Sequence, residues 1–465
     1  MQRKNGFDRS MLHAVFTLAW PTMLEQLTQT AVQYIDTAMV GSLGTEATAS
    51  VGATGTVNWM IGSIVSAVGV GFLAFISRQF GAGKPERARQ ASAQACMVTL
   101  VLGLLLTGVT LLAGPHVPAW MQVDPAIREQ AARYFMILYL PMLFRTASIL
   151  LGMVLRSAGD SRTPMRIGLM VNGINVALNV LLIYPARTLS ILGLEIPFPG
   201  AGMGVEGAAW ASAAAFAFGG IAMSAALWKH SAISPRGCSF RPDHEVLRSC
   251  FRVALPNLGQ RFTTSFGYVI FASMINSLGG ISTAAHTVAN TVESLFYIPG
   301  WGMQTSAATL SGNAYGAKDH DRLKRLGSTV LPLEIGLMIL SGSLLFIFAE
   351  SLVRLFSNDE DVIRLGTTVL RMVAVSEPFY GVPIVVEGLM QGVGKTVAPF
   401  VYNVIGMWTV RIAGTWICTQ LLGLGLVAAW GCMIGHNLLL FVFFVYHYRS
   451  GRWDPFSGSS SSARA

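Results

Sequence analysis

Residues 42–49 read SLGTEATA, and residues 277–284 read SLGGISTA, the same turn met again 235 positions later. The offset holds in both directions without a gap. Pro21 falls on Pro256, Gly81-Ala82 on Gly316-Ala317, Arg87 on Arg322, Asp124 on Asp359, Gly159 on Gly394 and Pro164 on Pro399. The matches gather at turns and helix ends, where a duplicated architecture leaves its clearest trace. Past Pro185–Gly204 the offset shortens to 220, so that Trp210 pairs with Trp430, because the first half carries a longer outer loop there.

The repeated unit is apolar. Of the 465 residues 52% are hydrophobic and 12% charged, with a mean hydropathy of +0.54. Soluble domains carry roughly a quarter charged residues, so most of this surface faces lipid. Apolar runs of membrane-crossing length recur at 11–38, 52–76, 91–113, 131–155, 163–184, 205–228, 252–276, 286–310, 327–349, 366–390, 397–420 and 424–446. They are continuous and do not alternate, which selects helices over a barrel. The 49 glycines suit close helix contact in lipid. The predicted fold is an all-α integral membrane protein of twelve transmembrane helices in two six-helix lobes, related by a pseudo-two-fold axis along the membrane normal. An N-terminal lobe spans 1–228, a cytoplasmic linker 229–250, a C-terminal lobe 251–447 and a disordered cytoplasmic tail 448–465. Paired bundles of this kind are typical of secondary transporters.

The net charge of +9 is a topology signal. With the N-terminus inside, the inner segments hold 23 Lys and Arg and the outer loops 4. Both termini are therefore expected in the cytoplasm of a multi-pass protein of the cytoplasmic (inner) membrane. That distribution speaks against nucleic-acid binding. The basic start Met1–Arg9 leads into an uncleaved first span. The five cysteines have neither metal-ligand spacing nor a disulfide framework. Ser457–Ser462 is low in complexity, and Lys229–Arg248 is polar and long enough to let the lobes move.

The first span carries the chemistry. Gln26, Gln29, Gln33 and Asp36 recur at intervals of three and four, with Glu25 beside them, so they share one helical face. A carboxylate at membrane depth costs at least ~2.5 kcal/mol, and this stripe must meet protein or water. The fifth span offers Asn172, Asn175 and Asn179 on one face, and the sixth offers Ser212. A carboxylate with amide and hydroxyl oxygens can replace the hydration shell of a hard monovalent cation, or can hold a proton. An interhelical hydrogen-bond network is the competing structural role.

At the repeat offset Asp36 becomes Phe271, Glu25 becomes Gln260, and Asn175 and Asn179 become Val410 and Gly414. Ion coupling is thus expected in the first lobe alone. The second lobe has its own ionisable residues, Arg261, Glu293, Glu334, Glu377, Glu387 and Arg411. Glu334 and Glu387 are expected to snorkel, and Glu293 to find Arg261 or Arg411 as counter-charge. Aromatic and methionine residues (Trp59, Met60, Tyr268, Tyr297, Trp301, Met303, Tyr380) are candidates to line a cavity for flat cations. The substrate-cavity set is Glu25, Gln29, Gln33, Asn172, Tyr268, Glu293, Tyr297, Trp301 and Tyr380. The prolines Pro21, Pro256, Pro299, Pro332, Pro378 and Pro383 fall inside spans, where each kinks a helix.

The sequence from Pro21 to Gly41 (PTMLEQLTQTAVQYIDTAMVG), Arg156–Asp160 ahead of Thr163-Pro164, and the pair Asn175/Asn179 in INVALN resemble the multidrug and toxic compound extrusion (MATE) family. Gly204–Ala209 and Gly316-Ala317 add to the likeness, which covers nearly all of the chain. The resemblance implies a two-lobed exporter driven by an inward sodium or proton gradient, with no other cofactor. Asp36, Asn175, Asn179 and Ser212 match the first-lobe cation cage, and Asp36, Asn175 and Asn179 would hold sodium if sodium is the coupling ion. Where archaeal-type members carry a second aspartate this chain has Asn179, and the second-lobe acids of one bacterial branch are replaced by Thr264 and Tyr380.

The function expected is cation-coupled antiport of small lipophilic organic cations by a monomer in contact with membrane lipid. A flippase for lipid-linked saccharides is the alternative, kept open by Arg145, Arg261 and Arg411, although its anionic cargo suits a cationic cavity. An intramembrane enzyme lacks HExxH, GxSxG or a paired histidine–acid site, and a channel lacks a ring of like subunits.

Overall fold

The computed structural model of the protein describes residues 9–121, 123–191 and 194–457. The start of the basic leader and the serine-rich run beyond Ser457 lie outside them. The chain is almost entirely helical. Helices α1 (Arg9–Gly41), α2 (Thr45–Gly81), α3 (Pro85–Ala113), the short α4 (Val117–Trp120), α5 (Pro125–Tyr139), α6 (Met142–Ser157) and α7 (Arg162–Leu182) precede an antiparallel hairpin, β1 (Pro185–Ile191) and β2 (Leu194–Ala201). Then follow α8 (Gly204–Lys229), α9 (His244–Asn276), α10 (Gly280–Phe296), α11 (Ile298–Gly316), α12 (His320–Arg354), α13 (Glu360–Val393), α14 (Val397–Ile405), α15 (Gly414–Trp416) and α16 (Leu426–Arg449).

Among the described residues, seven helices are long and apolar enough to cross a membrane, or eight with the bent pair α5–α6. Other crossings escape so simple a test because they carry polar stripes or breaks. Counting each broken helix as one crossing gives the twelve spans. The fourth span bends by 50° between α5 and α6, at Leu140-Pro141. The eighth breaks at Tyr297, ahead of Pro299 at the start of α11. The eleventh relaxes into π-helix over Gly406–Ala413 and Ile417–Leu421, around α15. The longer outer loop of the first half is the β1–β2 hairpin, which an all-helical reading did not foresee.

Two compact units emerge. The N-unit comprises Leu24–Phe72 and Glu86–Leu247; the C-unit comprises Met1–Met23, Leu73–Pro85 and Arg248–Ala465. Within the C-unit the duplication appears as a reciprocal contact. A Cβ on Gly81 would run into the Asn313 backbone, and a Cβ on Gly316 into the Arg78 backbone. Each residue of one pair lies 235 positions from its counterpart in the other, so the ends of α2 and α11 cross self-complementarily. Only glycine permits so close an approach. One C-unit core joins Val15 and Leu18 of α1 to Met303, Val330, Leu389 and Phe444. A second joins Phe271, Val292, Leu345, Leu370 and Trp430.

In the N-unit the linker is strapped down. Arg89 donates to the Ser234 and Arg236 carbonyls at 3.2 and 2.9 Å, Gln94 donates to the Arg241 carbonyl at 2.8 Å, and Arg87 pairs with Glu245 at 3.0 Å. The start of the tail is also ordered, contrary to the expectation of disorder from residue 448. Trp453 is 3% exposed and stacks on Tyr448 at 5.1 Å, Asp454 meets His320 at 2.6 Å, and Lys395 donates to the Arg452 carbonyl at 2.6 Å. A large indole buried beside a paired carboxylate fixes this segment despite its polar sequence.

Candidate functional site

The polar stripe of α1 does meet protein, in the N-unit. Asn179 Nδ2 donates to Asp36 Oδ1 at 2.5 Å and lies 3.2 Å from Asn175 Oδ1. Asn175 Nδ2 lies 3.0 Å from Ser212 Oγ on α8. The four-residue spacing on α7 stacks the two asparagines on one face, and both are buried, at 6% and 1% exposure. Asp36 is half-buried. The four residues Asp36, Asn175, Asn179 and Ser212 are therefore brought together.

The Asn175 amide can sit either way round. The amide atom facing Asp36 lies 2.9 and 3.1 Å from the carboxylate oxygens. As nitrogen it donates to them; as oxygen it faces two further acceptors and requires a proton or a cation between. Asn179 Oδ1 is buried with no hydrogen-bond partner. A carboxylate, an orphaned amide oxygen, a second amide and a hydroxyl are a fitting donor set for a hard monovalent cation. Among the described residues no Lys, Arg or His forms an ion pair with Asp36.

The rest of the stripe divides. Glu25 is ion-paired to Arg156 at 2.5 Å and packs against Gly168. It is a neutralised acid and not a free one. The spacing of α1 carried no sign of Arg156, 131 residues away. Gln29 and Gln33 are exposed and their amides have no partner among the described residues. Asn172 Nδ2 lies 3.4 Å from Thr28 Oγ1. Both line an open cleft of about 480 Å³ between α1 and α7, otherwise walled by apolar residues such as Val32, Leu169 and Val176.

In the C-unit the candidates form a separate constellation. Tyr297 donates its hydroxyl to Glu293 and its ring lies 4.9 Å from that of Tyr380. Arg411 sits over Tyr268 at 4.5 Å and over Phe271 at 4.6 Å. Among the described residues neither Arg411 nor Arg261 forms an ion pair with Glu293, whose partner is the Tyr297 hydroxyl. Arg261 donates to Asn257 Oδ1 at 3.2 Å. Tyr268 and Trp301 are 40% and 41% exposed, and Trp59 of the N-unit 52%, whereas Met303 is buried at 1% in the core and lines no cavity.

Glu387 and Glu334 do not snorkel. Glu387 accepts from Gln260 at 3.1 Å and Gln391 at 3.0 Å. Glu334 is 0% exposed, and Glu377 is 1% exposed. Glu334 and Glu387 were expected to reach the cytoplasm, but Glu334 points into the packed lobe and Glu387 is held by two side-chain amides.

The family profile described as MatE matches residues 21–181 and 256–417, one match in each repeat. The protein named "Probable multidrug resistance protein NorM" of Thermotoga maritima is 25% identical over 439 residues, covering 94% of this chain and 92% of its own. A protein of the same name from Bradyrhizobium diazoefficiens is 26% identical, over 92% of this chain and 90% of its own. Among solved structures, MATE in the bent conformation superposes with a TM-score of 0.86 at 22% identity, covering 97% of both chains. A MOP superfamily transporter from Pyrococcus furiosus superposes equally, at 0.86 and 22%, over 97% and 98%.

Proposed function

Since the chain belongs to the MatE family and is a multi-pass membrane transporter, not an enzyme, we propose that it exports small lipophilic organic cations by cation-coupled antiport. The names of the NorM relatives support drug efflux. Sodium or a proton enters from outside, binds at Asp36 with Asn175, Asn179 and Ser212, and is exchanged for cargo as the protein alternates between outward- and inward-facing states. It works as a monomer in the cytoplasmic membrane with both termini inside.

The observation that carries this reading is the company Asp36 keeps: amides and a hydroxyl, one amide oxygen unsatisfied, and no cationic side chain in ion pair with it among the described residues. A carboxylate so placed is compensated only when a small cation joins it. Cation binding neutralises Asp36 and weakens the hold on a cationic cargo, and that antagonism is reciprocal. The test is ethidium flux in proteoliposomes with a sodium gradient and a pH gradient imposed separately. One of the two gradients should drive flux, and the Asp36→Asn protein should respond to neither.

A further inference from the structure

We propose that the C-unit holds a proton-binding site of its own, formed by Glu334 of α12 and Glu377 of α13, whose protons are exchanged during transport. Only the word transport rests on the antiport reading; the site rests on geometry. Both carboxyls are buried, at 0% and 1% exposure, and none of their four oxygens has a hydrogen-bond partner.

Every packed element contributes to the charge balance around them. From α10 comes Glu293, which accepts the Tyr297 hydroxyl; Tyr380 of α13 lies against Tyr297. The π-helical segment brings Arg411, engaged with the faces of Tyr268 and Phe271. His286 bonds Trp430, and neither nitrogen of His436 has a partner. The stem of Glu377 packs on Gly342 of α12, and the stem of Glu334 packs on Gly381 of α13, one turn from Glu377. Among the described residues none of Glu293, Glu334 and Glu377 forms an ion pair with a guanidinium, and of the three only Glu293 receives a hydroxyl donor here. Two ionised carboxylates without donor or counter-ion cannot persist in such a place, so Glu334 and Glu377 carry protons in this state.

A metal held by three or more acid, His or Cys side chains does not explain the pair, because among the described residues no such group occurs. Nor does packing. Space for the Glu334 carboxyl is kept by Gly300 and Gly381, where an added Cβ would stand 3.0 and 3.1 Å from its Oε1. An acid held neutral for good leaves its polar atoms unsatisfied where an apolar side chain would leave none. Both acids also adjoin helix-breaking prolines, Pro332 two residues before Glu334 and Pro378 beside Glu377. There the main-chain ladder is already open, and a change of bend gives water a way in. An open cleft of about 340 Å³ between α12 and α13 reaches Gly342, which backs onto the stem of Glu377.

The experiment uses the full chain in detergent at weak buffering, with ethidium added and released protons read by a pH-sensitive dye. Wild type should release protons on binding ethidium, and Glu334→Gln with Glu377→Gln, isosteric with the protonated acids, should lose that component. Infrared difference spectra of the wild type give a second readout that needs no variant. A protonated-carboxyl C=O band should fall on ethidium addition. Unchanged release from the double variant, or no release and no band change in the wild type, overturns the proposal. Release that survives in Asp36→Asn but disappears in the glutamine variants separates this site from the helix α1 aspartate. Normal efflux by Asp36→Asn would count against the coupling reading while leaving this test intact.

Discussion

Asp36→Asn removes a charge and almost no volume. Its effect on the fold and its effect on transport can therefore be worked separately. The Asn179 bond to the carboxylate, at 2.5 Å, is charge-assisted and worth about 1.5–3 kcal/mol, against about 0.5–1.5 kcal/mol for a neutral bond. Asparagine keeps an acceptor there, so about 1 kcal/mol is lost. Against that, the variant no longer holds a carboxylate at membrane depth, which costs at least ~2.5 kcal/mol. Its new amide nitrogen can also donate to the Asn175 atom 2.9–3.1 Å away. The variant should melt in detergent at or above the wild-type temperature. Transport should behave oppositely, because the coupling cation has lost its carboxylate ligand. Coupling energies of 1–3 kcal/mol correspond to roughly 5–150-fold changes in affinity, and the cation's effect on cargo binding should disappear by that factor. Ethidium efflux from cells, normalised to purified protein, reads the loss. Normal efflux by a well-folded Asp36→Asn protein would rule out coupling through this carboxylate.

Other outcomes follow from named contacts. Arg156→Met should destabilise the N-unit by on the order of 2 kcal/mol, between exposed and fully buried pairs, because Glu25 loses its counter-charge. Adding Glu25→Gln should return much of it in thermal unfolding. Gly81→Ala and Gly316→Ala should each cost about 1–3 kcal/mol, by nearly equal amounts, since each Cβ meets the same reciprocal crossing. Gly108→Ala, with nothing within 4 Å, should be neutral. Trp453→Ala should release the segment after α16, losing about 3 kcal/mol of local packing, and limited proteolysis should then cut within residues 450–457.

The repeat and the site were legible to different depths. A constant offset survives in sequence because turns and close crossings demand particular residues, and Gly81 and Gly316 are where that demand is visible in the structure. The spacing of Gln26, Gln29, Gln33 and Asp36 revealed a face, and the α7 asparagines a second one. That Asp36 meets Asn175 and Asn179 followed because polar faces in lipid have few places to go. The failures concern what a face meets across the lobe. Glu334 was placed by its distance from a helix end, yet Gly300 and Gly381 on other helices open a space that turns it inward. The arginine that neutralises Glu25 is supplied by the end of α6, which the spacing of α1 does not encode. The bend before Pro141 and the π-helical turns of the eleventh span depend on tertiary packing, which periodicity does not encode.

One small cation and one organic cation are proposed to compete through Asp36. Ethidium affinity of the purified protein, measured at constant ionic strength across a sodium titration and a pH titration, tests it directly. Weaker binding with rising sodium or rising proton concentration is the expected result in the wild type, and adding Asp36→Asn to the Glu334→Gln, Glu377→Gln background should abolish both dependences. An affinity indifferent to both cations, or equally sensitive with and without the carboxylate, would contradict the account.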